Sequence, residues 1–136
     1  MPKVQGRLLI VDDEEDIREV LKASLENFVE HISEAQDGAE AIEMMTHQSF
    51  DAVLSDINMP RKNGIEFLKW IRSHGIDIPF VILTGHGDSV MADRLKPLGV
   101  DCFLTKPWDR KKIIEVIQKA VRDGVEKNQK AADTAS

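Results

Sequence analysis

The strongest constraint in this sequence is a regular alternation of short apolar runs, rich in β-branched residues, with longer amphipathic stretches. This alternation is typical of α/β domains, in which each strand is followed by a helix. The runs are Leu8 to Val11, His31 to Ala35, Ala52 to Ser55, Phe80 to Leu83 and Cys102 to Thr105. The first and fourth are apolar throughout, as expected for parallel strands covered on both faces. The second is more polar, which predicts a strand at an edge of the sheet.

Amphipathic patterns between and after these runs predict the helices. They cover Ile17 to Phe28, Ala39 to Thr46, Gly64 to Ser73, about Asp88 to Leu98, and Ile113 to Val121. Pro97 disturbs the fourth of them but is tolerable near a helix end. Strand–helix units with short connections and right-handed crossovers make a mainly parallel, five-stranded sheet between two layers of helices.

Length and composition limit the class of protein. A chain of 136 residues fits a single domain, and 42% hydrophobic content suffices for one core. The net charge of −6 and the 5% aromatic content argue against a basic nucleic-acid binder and against an aromatic platform for single strands. Cys102 is the single cysteine, so an internal disulfide is excluded. No apolar run approaches the roughly 20 residues that span a bilayer, and we expect a cytoplasmic protein.

The end of the chain differs in composition from the rest. From about Asp123 it contains one large aliphatic residue, Val125, and therefore little apolar surface to bury. We expect a domain over residues 1–122 followed by a disordered tail over residues 123–136.

Polar residues follow the predicted strands directly. They are Asp12 and Asp13 after the first strand, Asp56 after the third, Thr84 after the fourth and Lys106 after the fifth. The carboxyl ends of the strands are where open α/β sheets bind ligands. Three carboxylates brought together raise one another's pKa values unless a cation joins them, and oxygen-rich sites suit Mg²⁺. A hydroxyl and an ammonium opposite them can then bind a phosphoryl group.

Each of these residues also has an ordinary explanation. Asp12 and Asp13 can cap a helix and complement its dipole, and Asp56 can form a turn. Thr84 can be a helix cap, and Lys106 a solvated surface charge. One shared site explains all of these strand ends more economically than separate explanations do.

These residues resemble the receiver domain of two-component response regulators, in particular the single-domain, chemotaxis-regulator-like type. The similarity runs from Leu8 to about Arg122. Its motifs are Val11-Asp12-Asp13-Glu14, Asp56 with Met59-Pro60 and Gly64, Leu83-Thr84-Gly85, and Thr105-Lys106-Pro107. Each motif is weak alone, but this order and spacing are highly specific. The resemblance implies a doubly wound, flavodoxin-like (βα)5 fold with strand order 2-1-3-4-5.

The resemblance also implies a mechanism. Asp56 would attack the phosphohistidine of a sensor histidine kinase or phosphotransfer protein and become an aspartyl phosphate. A Mg²⁺ or Mn²⁺ ion would be held directly by Asp13 and Asp56, through water by Asp12, and by the main-chain carbonyl of Asn58. Lys106 would pair with a phosphoryl oxygen. The domain would promote its own phosphorylation and dephosphorylation without being an enzyme with a separate substrate.

Further positions acquire expected roles from the same resemblance. Thr84 would donate a hydrogen bond to the phosphoryl group, and Phe103 would turn inward behind it as the switch. The Lys106–Pro107 peptide bond would be cis. Asn58 and His86 would flank the attacking water and tune dephosphorylation.

The resemblance places the partner-binding face on the fourth predicted helix, the fifth strand and the fifth predicted helix. Pro97 departs from the family pattern there, which bears on output specificity. Residues 1–85 carry a net charge of −8 and residues 86–122 a net charge of +3. We therefore expect this face to meet an acidic downstream protein. The net charge of −6 and the lack of a membrane-length apolar run predict that the chain binds neither DNA nor a membrane. The chain resembles a stand-alone receiver or a receiver cut from a longer protein, and the short tail favours a natural end.

Three other functions compete with this interpretation. A flavodoxin-like cofactor binder needs a glycine-rich phosphate loop after the first strand, where this chain has acids. A Mg²⁺-dependent phosphatase with an aspartyl nucleophile often carries a second acid two residues later, where this chain has Asn58. A degenerate receiver that acts only as an interaction module would lack key residues, which are all present here.

Overall fold

The computed structural model describes residues 2–57, 64–85 and 95–130 in full, and the backbone of residues 131–135. Its strands are β1 (Val4–Val11), β2 (Val29–Ala35), β3 (Ala52–Asp56), β4 (Phe80–Thr84) and β5 (Cys102–Thr105). All neighbouring strands are parallel, and their order is β2-β1-β3-β4-β5. The predicted sheet and strand order are confirmed. β1 and β2 begin earlier than predicted, at Val4 and Val29 rather than at Leu8 and His31.

The α-helices in the described residues are α1 (Glu15–Leu25), α2 (Gly38–His47), α3 (Gly64–Ser73) and α4 (Arg110–Ala135). The helix predicted at about Asp88 to Leu98 lies mostly outside the described residues. The end of this predicted helix that the structure describes contains a single 3₁₀ turn, Lys96–Leu98, and Pro97 is one of the first residues of that turn. Gly99 follows with a φ of 90°, a left-handed conformation that glycine adopts without strain.

The core consists of two apolar layers, one on each face of the sheet. Leu8 and Ile10 of β1 contribute to the layer formed with α1 and α4. Leu9 and Val11 alternate with them and contribute to the layer formed with α2 and α3. Side chains along a strand point alternately to the two faces, so a strand buried on both must be apolar at every position.

No helix within the described ranges is long and apolar enough to cross a membrane.

The tail predicted to be disordered over residues 123–136 is helical as far as Ala135, because α4 continues to that residue. Asn128 donates hydrogen bonds to the Phe50 carbonyl oxygen, at 3.1 Å, and to Asp51 Oδ1, at 2.7 Å. Gly124 brings the helix backbone so close to Asp51 that a Cβ there would overlap the Asp51 carbonyl oxygen. The described residues of this segment, up to residue 130, are therefore held largely by polar and backbone contacts, which an apolar-residue count does not detect.

Candidate functional site

The first part of the site lies where β1 ends. The backbone N–H of Asp12 donates to the Ala35 carbonyl oxygen at the end of β2, at 3.1 Å. The Asp12 side chain is only 1% exposed, and its Oδ1 accepts a hydrogen bond from the N–H of Glu14 at 2.9 Å. Asp13, the next residue, is exposed. β1 thus delivers one buried and one exposed carboxylate to the same edge of the sheet.

The second part is Asp56, the last residue of β3. Its Oδ1 accepts a hydrogen bond from the N–H of Ile57 at 2.7 Å, and its carbonyl oxygen accepts one from the Ser55 hydroxyl at 2.8 Å. Gly64, the first residue of α3, lies directly against this strand end. A Cβ at Gly64 would overlap the Asp56 carbonyl oxygen, so this approach requires glycine. The start of α3 therefore fixes the backbone that carries Asp56.

Lys106 follows β5 and connects the two acidic parts. Its Nζ lies 3.2 Å from Asp12 Oδ2 and 3.4 Å from Asp56 Oδ2. Its backbone N–H donates to the carbonyl oxygen of Thr84 at 2.8 Å, which joins the ends of β5 and β4. Thr84 is itself buried. The Lys106–Pro107 peptide bond is cis, as expected.

The charged groups of this site shift one another's pKa values, because Asp12 and Lys106 are at least partly withdrawn from water. Burial raises the pKa of Asp12, and the charge of Asp56 adds to the effect. The Glu14 N–H and the Lys106 ammonium act in the opposite direction without cancelling it. Burial alone would lower the pKa of Lys106, but the charges of Asp12 and Asp56 outweigh it, so that pKa is raised. Lys106 is therefore a cation at neutral pH.

The acidic residues fit a divalent cation. Asp12, Asp13 and Asp56 each offer a carboxylate oxygen, and these oxygens lie within 4.8 Å of one another. Carboxylate oxygens are hard ligands of the kind that Mg²⁺ prefers, and Mg²⁺ usually keeps several waters. Asp13 is exposed, so the cluster is open to solvent. Among the described residues, the Lys106 ammonium lies against two of these three carboxylates, and clustered carboxylates of this kind favour binding of a cation.

Of the other residues predicted to act at this site, Phe103 is described by the structure, whereas Asn58 and His86 are not. Phe103 is partly buried on β5 and packs against the core layer formed with α2 and α3. It pairs with Ile82 of β4, two residues before the Thr84–Thr105 pair. Asn58 and His86 lie outside the described residues, as does Met59-Pro60. Their expected roles remain predictions.

Sequence reasoning missed Arg18 of α1. Its Nη1 donates a hydrogen bond to the Asp12 carbonyl oxygen at 2.7 Å, and its Nε lies 3.4 Å from Glu34 Oε1. Arg18 is the one cation among residues 12–19, a stretch that otherwise holds six acids. That isolated positive charge is the feature of the sequence that could have indicated a contact between Arg18 and the acidic site.

Comparison with known sequences identifies a family. The family model of the response regulator receiver domain matches residues 8–118. The response regulator MprA of Mycobacterium ulcerans is 35% identical over 132 residues, which cover 96% of this chain and 56% of that protein. MprA of Mycobacterium leprae is 37% identical over 118 residues, covering 85% and 51% respectively. The chain thus spans about half the length of these relatives.

Solved structures agree. The receiver domain of the Francisella response regulator 1452 superimposes with a TM-score of 0.80 at 27% identity, over 86% of this chain and 97% of that one. The Vibrio cholerae chemotaxis protein CheY4 gives a TM-score of 0.78, also at 27% identity, over 86% and 99% respectively. The part of α4 after residue 118 lies beyond the family match.

Proposed function

The chain belongs to the response regulator receiver family of two-component systems, and from this premise we propose that Asp56 is its phosphoacceptor. The observation that carries the proposal is the meeting of three carboxylates and one ammonium at a single edge of the sheet. Asp12, Asp13 and Asp56 have oxygens within 4.8 Å of one another, and Lys106 Nζ lies 3.2 and 3.4 Å from two of these residues. The phosphodonor is the phosphohistidine of a sensor histidine kinase or of a phosphotransfer protein.

The transfer is a substitution at phosphorus. A carboxylate oxygen of Asp56 forms a bond to the phosphorus as the phosphorus–nitrogen bond breaks, and the electron pair of that bond returns to the histidine nitrogen. Asp56 is largely buried at a strand end whose backbone is fixed by Gly64, so the nucleophile is held in place before the donor arrives.

Magnesium is the expected cofactor, and Mn²⁺ is a substitute. Asp13 and Asp56 would hold the ion directly and Asp12 through a water, with a further ligand from the main-chain carbonyl of Asn58, which lies outside the described residues. When bound, the ion neutralises charge on the phosphoryl oxygens. The exposure of Asp13 and the burial of Asp12 agree with this division of roles.

Lys106 and Thr84 bind the phosphoryl group in this proposal. The Lys106 ammonium pairs with Asp12 and Asp56, and its short distance to the acceptor lets it pair with a phosphoryl oxygen there. Thr84 lies at the adjacent strand end, joined to Lys106 by a backbone hydrogen bond of 2.8 Å. Its hydroxyl donates to the phosphoryl group, and Asn58 and His86 tune the lifetime of the phosphate.

The output follows from the movement of Thr84. Phe103 packs partly buried on the α2 and α3 side of the sheet, so it can report that movement by shifting apolar surface. The partner-binding face comprises the segment before β5, β5 itself and α4. The protein acts in the cytoplasm as a signalling domain, and its downstream partner is another protein.

Incubation with acetyl phosphate and Mg²⁺ tests the proposal directly. Intact mass spectrometry is expected to show the addition of one phosphate to the wild-type protein and none to Asp56→Asn. Asp77→Asn is the matched control, because Asp77 is an exposed carboxylate on the loop before β4 and its side chain is 81% exposed. That variant should be phosphorylated like the wild type.

Two results would contradict the assignment. One is an unmodified wild-type mass together with failure to form a beryllofluoride complex. The other is phosphorylation of Asp56→Asn at the wild-type level, which would place the acceptor elsewhere.

A further inference from the structure

We propose that Arg18 of α1, held by Glu34 of β2, is a positioning residue for the acidic pair Asp12 and Asp13. The proposal rests on the function assigned above, because it concerns the carboxylates that would hold the metal ion. It adds to that site a cation whose contacts, among the described residues, are with the Asp12 carbonyl and Glu34 rather than with the acceptor.

The contacts of Arg18 connect three elements. Its Nη1 donates to the Asp12 carbonyl oxygen at 2.7 Å, and its Nε lies 3.4 Å from Glu34 Oε1. The Arg18 side chain is only 15% exposed, so these interactions are partly shielded from solvent. α1 is thereby tied to the end of β1 and to the end of β2.

The carbonyl that Arg18 binds belongs to the peptide group between Asp12 and Asp13. That group is planar, so fixing its oxygen fixes the direction in which the chain enters Asp13. The Asp12 N–H, on the preceding peptide group, is fixed separately by its hydrogen bond to the Ala35 carbonyl oxygen at 3.1 Å. The two hydrogen bonds together set the relative positions of the buried and the exposed carboxylate. Support of this kind around metal ligands commonly governs metal affinity.

An arginine suits this position because its guanidinium has several donors in a rigid fork. One nitrogen serves the Asp12 carbonyl while another faces Glu34. Lys22 provides an internal comparison, since its Nζ also approaches Glu34, at 4.0 Å, from the next turn of α1. The Lys22 side chain is 48% exposed and makes no hydrogen bond to Asp12 in the described structure.

The sign of the effect on metal affinity separates positioning from simple electrostatics. Removing a positive charge beside three carboxylates should strengthen the binding of a cation if only charge matters. Loss of the Asp12 carbonyl hydrogen bond should weaken it. We therefore expect Arg18→Met to bind Mn²⁺ about tenfold more weakly than the wild type.

The experiment measures Mn²⁺ affinity from the electron paramagnetic resonance signal of the free ion, which does not depend on phosphorylation. Arg18→Lys is expected to restore part of the affinity, and Glu34→Gln to lose part of it. Lys22→Met is the matched control and should bind Mn²⁺ as tightly as the wild type or slightly more tightly. Thermal unfolding of each variant establishes that it is folded.

Unchanged or tighter Mn²⁺ binding by folded Arg18→Met overturns the inference, and so does an equal loss of affinity in Lys22→Met. If Arg18→Met does not fold, Glu34→Gln decides, and wild-type affinity in that variant overturns the inference. The proposed function can fail separately. In that case Arg18→Met binds Mn²⁺ more weakly than the wild type, as expected, but the wild type accepts no phosphate. If the wild type is phosphorylated but Arg18→Met keeps full Mn²⁺ affinity, only the role of Arg18 is rejected.

Discussion

Asp12 illustrates, at the scale of one residue, how a binding site can reduce the stability of the fold that carries it. Its pKa is raised above the ordinary value of 3.8, chiefly because the carboxylate is buried. The folded protein therefore holds the Asp12 proton more tightly than the unfolded chain does. The resulting stability is fully present below pH 3.8 and is lost as the pH rises through the raised folded-state value. Above that value the charge of the buried side chain disfavours folding.

Asp12→Asn should consequently be more stable than the wild type at pH 7 in buffer containing EDTA. Asparagine retains an Oδ1 that accepts the Glu14 N–H, but it carries no charge to bury. The gain should shrink as the pH falls through the raised folded-state pKa toward 3.8, because the wild-type carboxyl takes up a proton over this range. Thermal unfolding monitored by circular dichroism across this range is the measurement.

Asp77→Asn is again the control, and its exposed side chain predicts no comparable change in stability. Addition of Mg²⁺ should stabilise the wild type more than Asp12→Asn, because the variant lacks one of the carboxylates. A wild type as stable as Asp12→Asn at pH 7 without metal would contradict the account of Asp12.

Sequence could predict which residues meet at the site when they stand at the end of a strand. Asp12, Asp13, Asp56, Thr84 and Lys106 come directly after apolar runs, and parallel strands bring those positions to one edge. Arg18 could not be found in this way. Its contact is with a backbone carbonyl in the preceding loop, and sequence spacing does not show which carbonyl a long side chain will reach.

At the scale of elements, burial on both faces explains why the strands were predictable and α4 was only partly so. A strand between two helical layers must be apolar at nearly every position, which leaves a clear run in the sequence. The last turns of α4 leave no such run. They depend on Gly124, on Asn128 and on the Asp51 carbonyl, and among the side chains described there, up to residue 130, only that of Val125 joins the core layer.

Gly124→Ala tests this docking. Alanine is favoured over glycine inside a helix by about 1 kcal/mol, so an exposed helix would become more stable. Here the added Cβ would overlap the Asp51 carbonyl oxygen, and overpacking of this kind costs about 1–3 kcal/mol. We expect Gly124→Ala to lower the free energy of unfolding in urea.

Gln129→Ala, at an exposed position of the same helix, should leave the free energy of unfolding nearly unchanged. Asn128→Ala should lower it, because the Phe50 carbonyl and the Asp51 carboxylate lose a shared donor. Stabilisation by Gly124→Ala would show that α4 does not pack closely against Asp51, the residue before β3.

For the whole molecule, the net charge of −6 conceals an uneven distribution. Residues 1–85 carry −8, which includes the acidic site, and residues 86–122 carry +3. The first turn of α4 contains Arg110, Lys111 and Lys112, all exposed, and no acid. Cations at a helix amino terminus oppose the helix dipole, so these residues do not serve the stability of α4. None of them forms an ion pair in the described part of the chain, which leaves them available to an acidic partner.

A peptide library panned against the beryllofluoride-bound protein tests this charge complementarity. The selected peptides are expected to carry net negative charge, and their binding should weaken with rising salt because exposed charges are screened. The double variant Lys111→Glu with Lys112→Glu should lose most of this binding. The matched control reverses Lys3 and Arg7, which are exposed at the opposite end of the sheet, and should retain it. Selection of neutral or basic peptides, or equal loss in both double variants, would show that the basic start of α4 does not choose the partner.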